Sequence, residues 1–329
     1  MAGAPEGGAE LFYERLVLAQ SDAGETVLPL FRQDRGRAAR LERLGPRQLA
    51  FGGPLDVMTR LRLRAALRRF QPRVVVAWMN RAAGATPTGP WILAGRLGGY
   101  YDLRYYRHCQ HLIGNTQGIV DWIRGQGWPT PRVHHLPNFA PDLRGAAPAA
   151  LPTPPGAPVV LALGRLHRNK AFDVLIRALP SLPGVHAVIA GEGPERKALE
   201  ALARRLDVTD RLHLLGWRTD QAALLAAATV MVCPSRHEPL GNVVIEAFSA
   251  GIPIIAADAA GPVELITSGR NGILVPKEDP VALAQQIQQV LRDPGLARGL
   301  GAAGRDSYVA QFAPEPVLAQ WAAALQGMH

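Results

Sequence analysis

The sequence predicts an α/β protein of two doubly wound domains, and three observations carry that expectation. Short β-branched runs alternate with helical patterns along most of the chain. A Pro- and Ala-rich stretch interrupts the alternation near the middle, and the length of 329 residues gives each side enough chain to bury a core. The strands read as buried and parallel, because they are short runs of mostly apolar, β-branched residues instead of alternating ones: Val74 to Trp78, Val159 to Leu163, His186 to Ala190, Val230 to Cys233 and Ile254 to Ala256.

The helices fall between them. Arg60 to Phe70 has Leu63, Ala66, Leu67 and Phe70 on one face at i, i+3, i+4, i+7 spacing, with arginines filling the rest. Phe172 to Leu179 and Glu195 to Leu206 follow two of the strands, Val243 to Phe248 is an apolar helical run, and Glu315 to Gln326 closes the chain. Residues 1–140 form the first domain, 141–158 the linker, 159–310 the second domain and 311–329 a last helical segment. The linker contains Leu151-Pro152-Thr153-Pro154-Pro155-Gly156, which suits neither a regular helix nor a central strand.

Chemistry concentrates in the second domain. Gly164-Arg165 stands at the end of the Val159 to Leu163 run, with Lys170 five residues further on. Glu238 and Glu246 lie eight positions apart, separated by Pro239-Leu240-Gly241-Asn242 and the start of the apolar helix. A helix opening near Gly241 offers backbone N–H groups and the positive end of its dipole to phosphate oxygens. Arg165 and Lys170 add full charges, one as a planar fork and one as a point charge. Glu246, costly to bury without a partner, can accept from vicinal hydroxyls of a ribose. Glu238 either favours the start of the following helix electrostatically or serves a ligand. Together the residues suit an anionic, hydroxyl-rich ligand such as a nucleoside-diphosphate sugar. Gly191-Glu192-Gly193 imitates a dinucleotide fingerprint, but Arg196 stands where the third glycine belongs, so it reads as a strand-to-helix turn.

These motifs, in order and spacing, resemble the donor-binding domain of retaining glycosyltransferases of family 4, of the bacterial polysaccharide or glycolipid type. The match runs from about Val159 to Val275: Gly-Arg, the following Lys, Glu-x7-Glu, Ala250-Gly251-Ile252-Pro253, Gly191-Glu192-Gly193-Pro194 and Gly261-Pro262-Val263-Glu264. Ala171 departs from the family, which usually has Gly after the Lys. The resemblance implies a GT-B fold, two Rossmann-like domains facing a cleft, with the donor on the second domain, the acceptor on the first and the last helix crossing back to the first. It places Glu238 beside the transferred sugar, with Arg165 and Lys170 on the diphosphate. Glu246, Gly241, Asn242, Leu240, Gly164 and Gly191 hold the donor. Gly7 and Gly8 correspond to the family's Gly-Gly loop after the first strand, yet only six residues precede Gly7, so that strand is expected to be missing. Where many members carry a His after the strand matching Ile92 to Leu97, this chain has Gly98-Gly99-Tyr100-Tyr101, which leaves Arg96, Tyr100 and Tyr101 to face the acceptor. Trp217 either lines the base pocket or belongs to a core.

The implied activity is transfer of a sugar, with retention of configuration, from a nucleotide sugar to a hydroxyl of a glycan or lipid-linked acceptor. No cofactor and no obligatory metal are expected. An epimerase of the same fold, or an inactive membrane-associated scaffold, are the other readings. No Cys/His cluster has metal-ligand spacing, and Cys109 and Cys233 do not suggest a disulfide framework. No apolar stretch reaches the length needed to span a bilayer. The net charge of +9 lies wholly in residues 1–150, where 20 Arg oppose 11 acids. An anionic membrane surface is the expected partner of that half, through Arg62, Arg64, Arg68 and Arg69. Nucleic acid is not expected, since no recognised nucleic-acid motif occurs. A cytoplasmic protein, peripheral on the inner face of the membrane, is the localisation that follows.

Overall fold

The computed structural model describes residues 1–3, 7–53 and 56–329. The chain divides into two compact units: Met1–Phe139 with Pro314–His329, and Ala140–Ala313. In the first, β1 (Leu30–Arg32) and β2 (Arg47–Leu49) form a two-stranded parallel sheet. The strands β3 (Val74–Trp78), β4 (Ile92–Leu97), β5 (His111–Gly114) and β6 (Val133–His135) form a four-stranded parallel sheet in sequential order. In the second, β7 (Val159–Leu163), β8 (His186–Ala190), β9 (Leu212–Gly216), β10 (Val230–Cys233), β11 (Ile254–Ala257) and β12 (Ile273–Val275) make one parallel sheet in the order β12-β11-β10-β7-β8-β9. The strand order turns back on itself between β7 and β10, and crevices at such switch points, beyond the carboxyl ends of the strands, are where open α/β sheets bind ligands.

Among the described residues no strand precedes the Gly8–Asp22 helix. The Met1 amine donates to Leu30 O at 2.8 Å, and Arg32 N donates to Met1 O at 3.0 Å, so the first residue lies strand-like beside β1 without forming a strand. Burial first, and then Arg37, lowers that amine to a pKa of about 5. A cavity of about 390 Å³ touches both β1 at Leu30 and β3 along Val74 to Trp78. With β3 at the edge of its sheet, Val74, Val75 and Val76 are only half-buried instead of enclosed. Ala4 to Glu6, part of the stretch ahead of Gly7, lie outside the described residues.

The stretch read as a linker packs on the second unit. Ser249 Oγ accepts from Leu143 N at 3.0 Å and donates to Pro141 O at 2.6 Å, and Ala149 N donates to Ala223 O at 2.9 Å. The last helix, Pro314–Gly327, belongs to the first unit. Its Trp321 stacks on Trp78, ring centroids 6.4 Å apart, and Arg73 donates to the carbonyls of Leu325, Gln326 and Met328. Those bonds satisfy carbonyls that a helix end otherwise leaves open.

Candidate active site

The residues predicted from sequence to hold a donor lie on the loops after β7 and β10 and on the Asn242–Ala250 helix, at the switch point of the second unit. Arg165 and Lys170 follow β7, and Glu238 follows β10, its neighbour in the sheet. Lys170 Nζ donates to Glu238 Oε2, and Ser235 Oγ donates to the same oxygen at 3.3 Å. Burial alone would lower the Lys170 pKa, but Glu238, then the Cys233 sulfur and Glu246, reverse the effect and leave it raised. Both carboxylates of the Glu-x7-Glu pair therefore act on one ammonium. Glu246 is buried in the Asn242–Ala250 helix and accepts from Gln221 Nε2 at 3.4 Å. Arg165 differs: it is exposed and, among the described residues, makes no ion pair.

The loops are held from several sides. Gly241, at φ +86°, turns the chain through the left-handed region directly into the Asn242–Ala250 helix, and no side chain caps that helix. Val244 N donates back to Gly241 O at 2.9 Å, and the positive end of the helix dipole lies at this turn. Gly261 N donates to Glu238 O at 2.7 Å. On the other side Gly191 abuts the Gly164 loop so closely that a Cβ there would come within 1.9 Å of Gly164 O. Gly164 in turn lies under the Lys170 stem, its own Cβ position 3.3 Å from Lys170 Cε. The glycines of the motifs are thus packing requirements of the loop that carries Arg165 and Lys170.

Arg236 was missed by sequence reasoning. It forks onto Asp173 at 2.8 and 2.7 Å, reaches Glu278 at 2.6 Å and donates to Arg168 O at 2.8 Å. Its own N–H and that of His237 both donate to Asn169 O, at 2.8 and 3.3 Å. The loop bearing Glu238 is thereby bolted to the loop bearing Lys170. Asp173 and Glu278 stand 63 and 42 positions from Arg236, which no local pattern could link; the one sequence signal was an arginine two residues before Glu238.

Two undecided residues and one misplaced one are settled by burial. Trp217 is 49 % exposed beyond β9, so it is not a core residue. Glu238 lies too far from the helix start to be only a cap: its carboxylate is committed to Lys170 and Ser235. Arg96 was expected to face an acceptor, yet it is 1 % exposed. Its guanidinium lies 4.3 Å over the Trp78 ring and 5.0 Å over Phe12, and donates to Asn138 Oδ1. Position 96 faces inward at β4, where aromatic faces replace the counter-ion, and burial lowers its pKa to about 9. Tyr100 is 45 % exposed and edge-on to Trp122, while Tyr101 is half-buried with its pKa raised by burial. Gly7 caps and Gly8 starts the Gly8–Asp22 helix of the first unit.

A six-stranded parallel sheet with cations and paired carboxylates at its switch point, and a second unit with its own parallel sheet, define a class: α/β proteins with two Rossmann-like domains. Comparison with known proteins agrees. A profile described as glycosyl transferases group 1 matches residues 157–293. The lipopolysaccharide core biosynthesis glycosyltransferase LpsE of Rhizobium meliloti is 35 % identical over 324 residues, covering 95 % of this chain and 94 % of the relative. LpsD of the same organism is 33 % identical, covering 95 % and 93 %. Among solved structures, Anabaena HepE in complex with UDP and glucose superposes with a TM-score of 0.83 at 21 % identity, over 99 % of this chain and 98 % of that one. The chain belongs to the group 1 glycosyltransferases and has the GT-B fold; it is a glycosyltransferase.

Proposed function

We propose that the enzyme takes a sugar from a nucleoside-diphosphate donor and places it on a hydroxyl of a glycan or lipid-linked acceptor, with retention of configuration, as a family 4 enzyme of surface polysaccharide or glycolipid synthesis. The observation that carries this reading is the gathering of Lys170, Glu238 and Glu246 at the β7–β10 switch point, with Arg165 on the same loop as Lys170. The names of LpsE and LpsD support the acceptor class, and the UDP and glucose bound by HepE support the donor class.

Arg165, exposed and unpaired by the described residues, meets the diphosphate. Lys170 links that diphosphate to Glu238, so charge building on the leaving group is felt at the carboxylate beside the sugar. The start of the Asn242–Ala250 helix adds the positive end of its dipole. Fixed donors aimed at developing charge make up a large part of such catalysis, and here they replace an obligatory metal. Glu246 holds the ribose hydroxyls. Retention proceeds by front-face attack guided by the departing diphosphate. The reaction takes place in the cytoplasm, at the inner face of the membrane that bears the acceptor.

Titration calorimetry with bare nucleoside diphosphates separates the roles. Glu246→Gln is expected to weaken nucleotide binding about tenfold, while Glu238→Gln leaves it nearly unchanged and lowers kcat. Arg165→Ala should cost about 2–4 kcal/mol of transition-state stabilisation. Near-wild-type turnover of Arg165→Ala, an inverted anomer in the product, or loss of activity on metal chelation would each refute part of the reading.

A further inference from the structure

Ser235 lies one residue beyond Pro234, where the chain leaves β10, and is 1 % exposed. A buried hydroxyl is costly unless it is hydrogen-bonded, and this one has two partners. Its Oγ donates to Glu238 Oε2 at 3.3 Å, and Cys233 Sγ lies 3.6 Å from the same Oγ. Since the single hydroxyl proton of Ser235 goes to the carboxylate, the thiol is the donor in its own contact. Burial first, and then Glu238, pushes that thiol up to about 11, so it keeps its proton at neutral pH. The chain from Cys233 through Ser235 to Glu238 thus runs one way, with each donor directed towards the carboxylate.

Lys170 Nζ donates to the same carboxylate oxygen from the loop after β7. Oε2 is therefore held from two loops, while Oε1 takes no bond from a described residue and stays open to solvent. The two holds differ in kind. An ammonium is a point charge on a flexible stem, and a carboxylate can pivot about it. A second donor on that oxygen, carried by a different loop, removes the freedom to pivot. Ser235 can serve in this way because its own loop is fixed. Arg236 N and His237 N both donate to Asn169 O, at 2.8 and 3.3 Å, and the Arg236 side chain forks onto Asp173.

We propose that Ser235 is a positioning residue for Glu238: with its hydroxyl on Oε2, the carboxylate presents Oε1 alone to the transferred sugar. An ionised carboxylate oxygen accepts and does not donate, so the sugar must offer a hydroxyl or an amide N–H at that point. This role rests on the sugar transfer proposed above and adds to it the group that aims the carboxylate. Ser235 itself touches no substrate. Its loss therefore acts on the sugar end of the donor and leaves the nucleotide end alone.

UDP-, GDP- and ADP-hexoses are ranked by the melting shift each gives the full-length wild type. The best is taken into calorimetry and kinetics beside its bare nucleoside diphosphate. Ser235→Ala is expected to lower kcat about tenfold and to weaken the sugar-bearing donor about fivefold, as loss of a hydrogen bond to a charged group does. Binding of the bare nucleoside diphosphate should stay within about twofold of wild type. In a Glu238→Ala background, where no carboxylate is left to aim, Ser235→Ala should change affinity for the sugar-bearing donor by less than about twofold; such non-additivity marks groups that act through one another. The role is overturned by a kcat within about twofold of wild type, by equal losses of donor affinity in the two backgrounds, or by a matching loss of bare nucleoside diphosphate, the mark of a merely structural residue. Failure of wild type to bind any of the nucleotide sugars would instead bring down the transfer reaction, and the role of Ser235 with it.

Discussion

The strands β7 and β3 have nearly the same make-up, Val-Val-Leu-Ala-Leu and Val-Val-Val-Ala-Trp, and very different surroundings. β7 is paired on both sides, with β8 and β10, and is buried at all five positions. β3 is paired on one side only and borders a cavity of about 390 Å³, so three of its five residues are half-buried. The difference shows that the sequence of a strand sets its tendency to be buried, while its neighbours determine how much stability it contributes. It also bears on function. The loop after β7 is fixed by contacts from the β8 and β10 sides, and a loop so constrained can hold Arg165 and Lys170 in place.

The same substitution in the two strands should break or sharpen that contrast. Val160 is fully buried, paired opposite Val230 and Ala187. Val160→Ala is expected to cost about 2–3 kcal/mol, the lost transfer energy together with a cavity that cannot collapse. Val75→Ala, facing space already open, should cost about 1 kcal/mol or less. Scanning calorimetry reads both, and equal shifts would show that the edge of β3 is as well supported as β7.

The contrast also explains which parts were legible beforehand. Five strands could be read because each is a mostly apolar run, and β4 through the resemblance; β1, β2, β5, β6, β9 and β12 were not, most of them three or four residues long or broken by arginines and histidines, and such pieces carry no period. The two carboxylates, Arg165, Lys170 and the glycines between them could be placed because spacing along one chain carried the pattern. The burial of Arg96 could not, since its aromatic neighbours Phe12 and Trp78 come from two distant segments. The Arg236 network was hidden for the same reason.

Arg236 offers the next test, of whether the site loops depend on each other. Arg236→Gln keeps a donor but removes the charge from a half-buried cluster with Asp173 and Glu278. A loss of about 2 kcal/mol at pH 7 is expected, since breaking a partly buried pair costs more than breaking a surface one. Burial tends to raise the Asp173 pKa, but Arg236 outweighs it and leaves the carboxyl depressed. A depressed carboxyl contributes stability above its unfolded value, near 3.8, and loses it as pH falls through the folded value. The gap between wild type and variant should therefore be full at neutral pH and narrow below about pH 3.8, as urea midpoints across pH would show. A gap that stays constant to the most acid pH would remove Asp173 from the account.

The smallest effect tests Ala171, the departure from the family pattern within the donor motifs. Ala171 sits at φ +53°, ψ 36°, a left-handed conformation that favours glycine, directly after Lys170. Replacing it with Gly would relieve about 1–2 kcal/mol of strain. Two losses oppose that gain. Ala171 is fully buried in the apolar cluster with Phe172 and Leu175, and its methyl is worth about 0.8 kcal/mol. A new glycine also frees the unfolded chain, at about 0.5–1 kcal/mol. The terms nearly cancel, so Ala171→Gly should change stability by less than about 1 kcal/mol in either direction. Chemical denaturation measures this, and a gain well above 1 kcal/mol would mean that the turn under Lys170 is strained beyond what its backbone angles indicate. That result would weaken the contrast drawn here, because the loop after β7 would then be held in place against its own preference instead of fitting its surroundings.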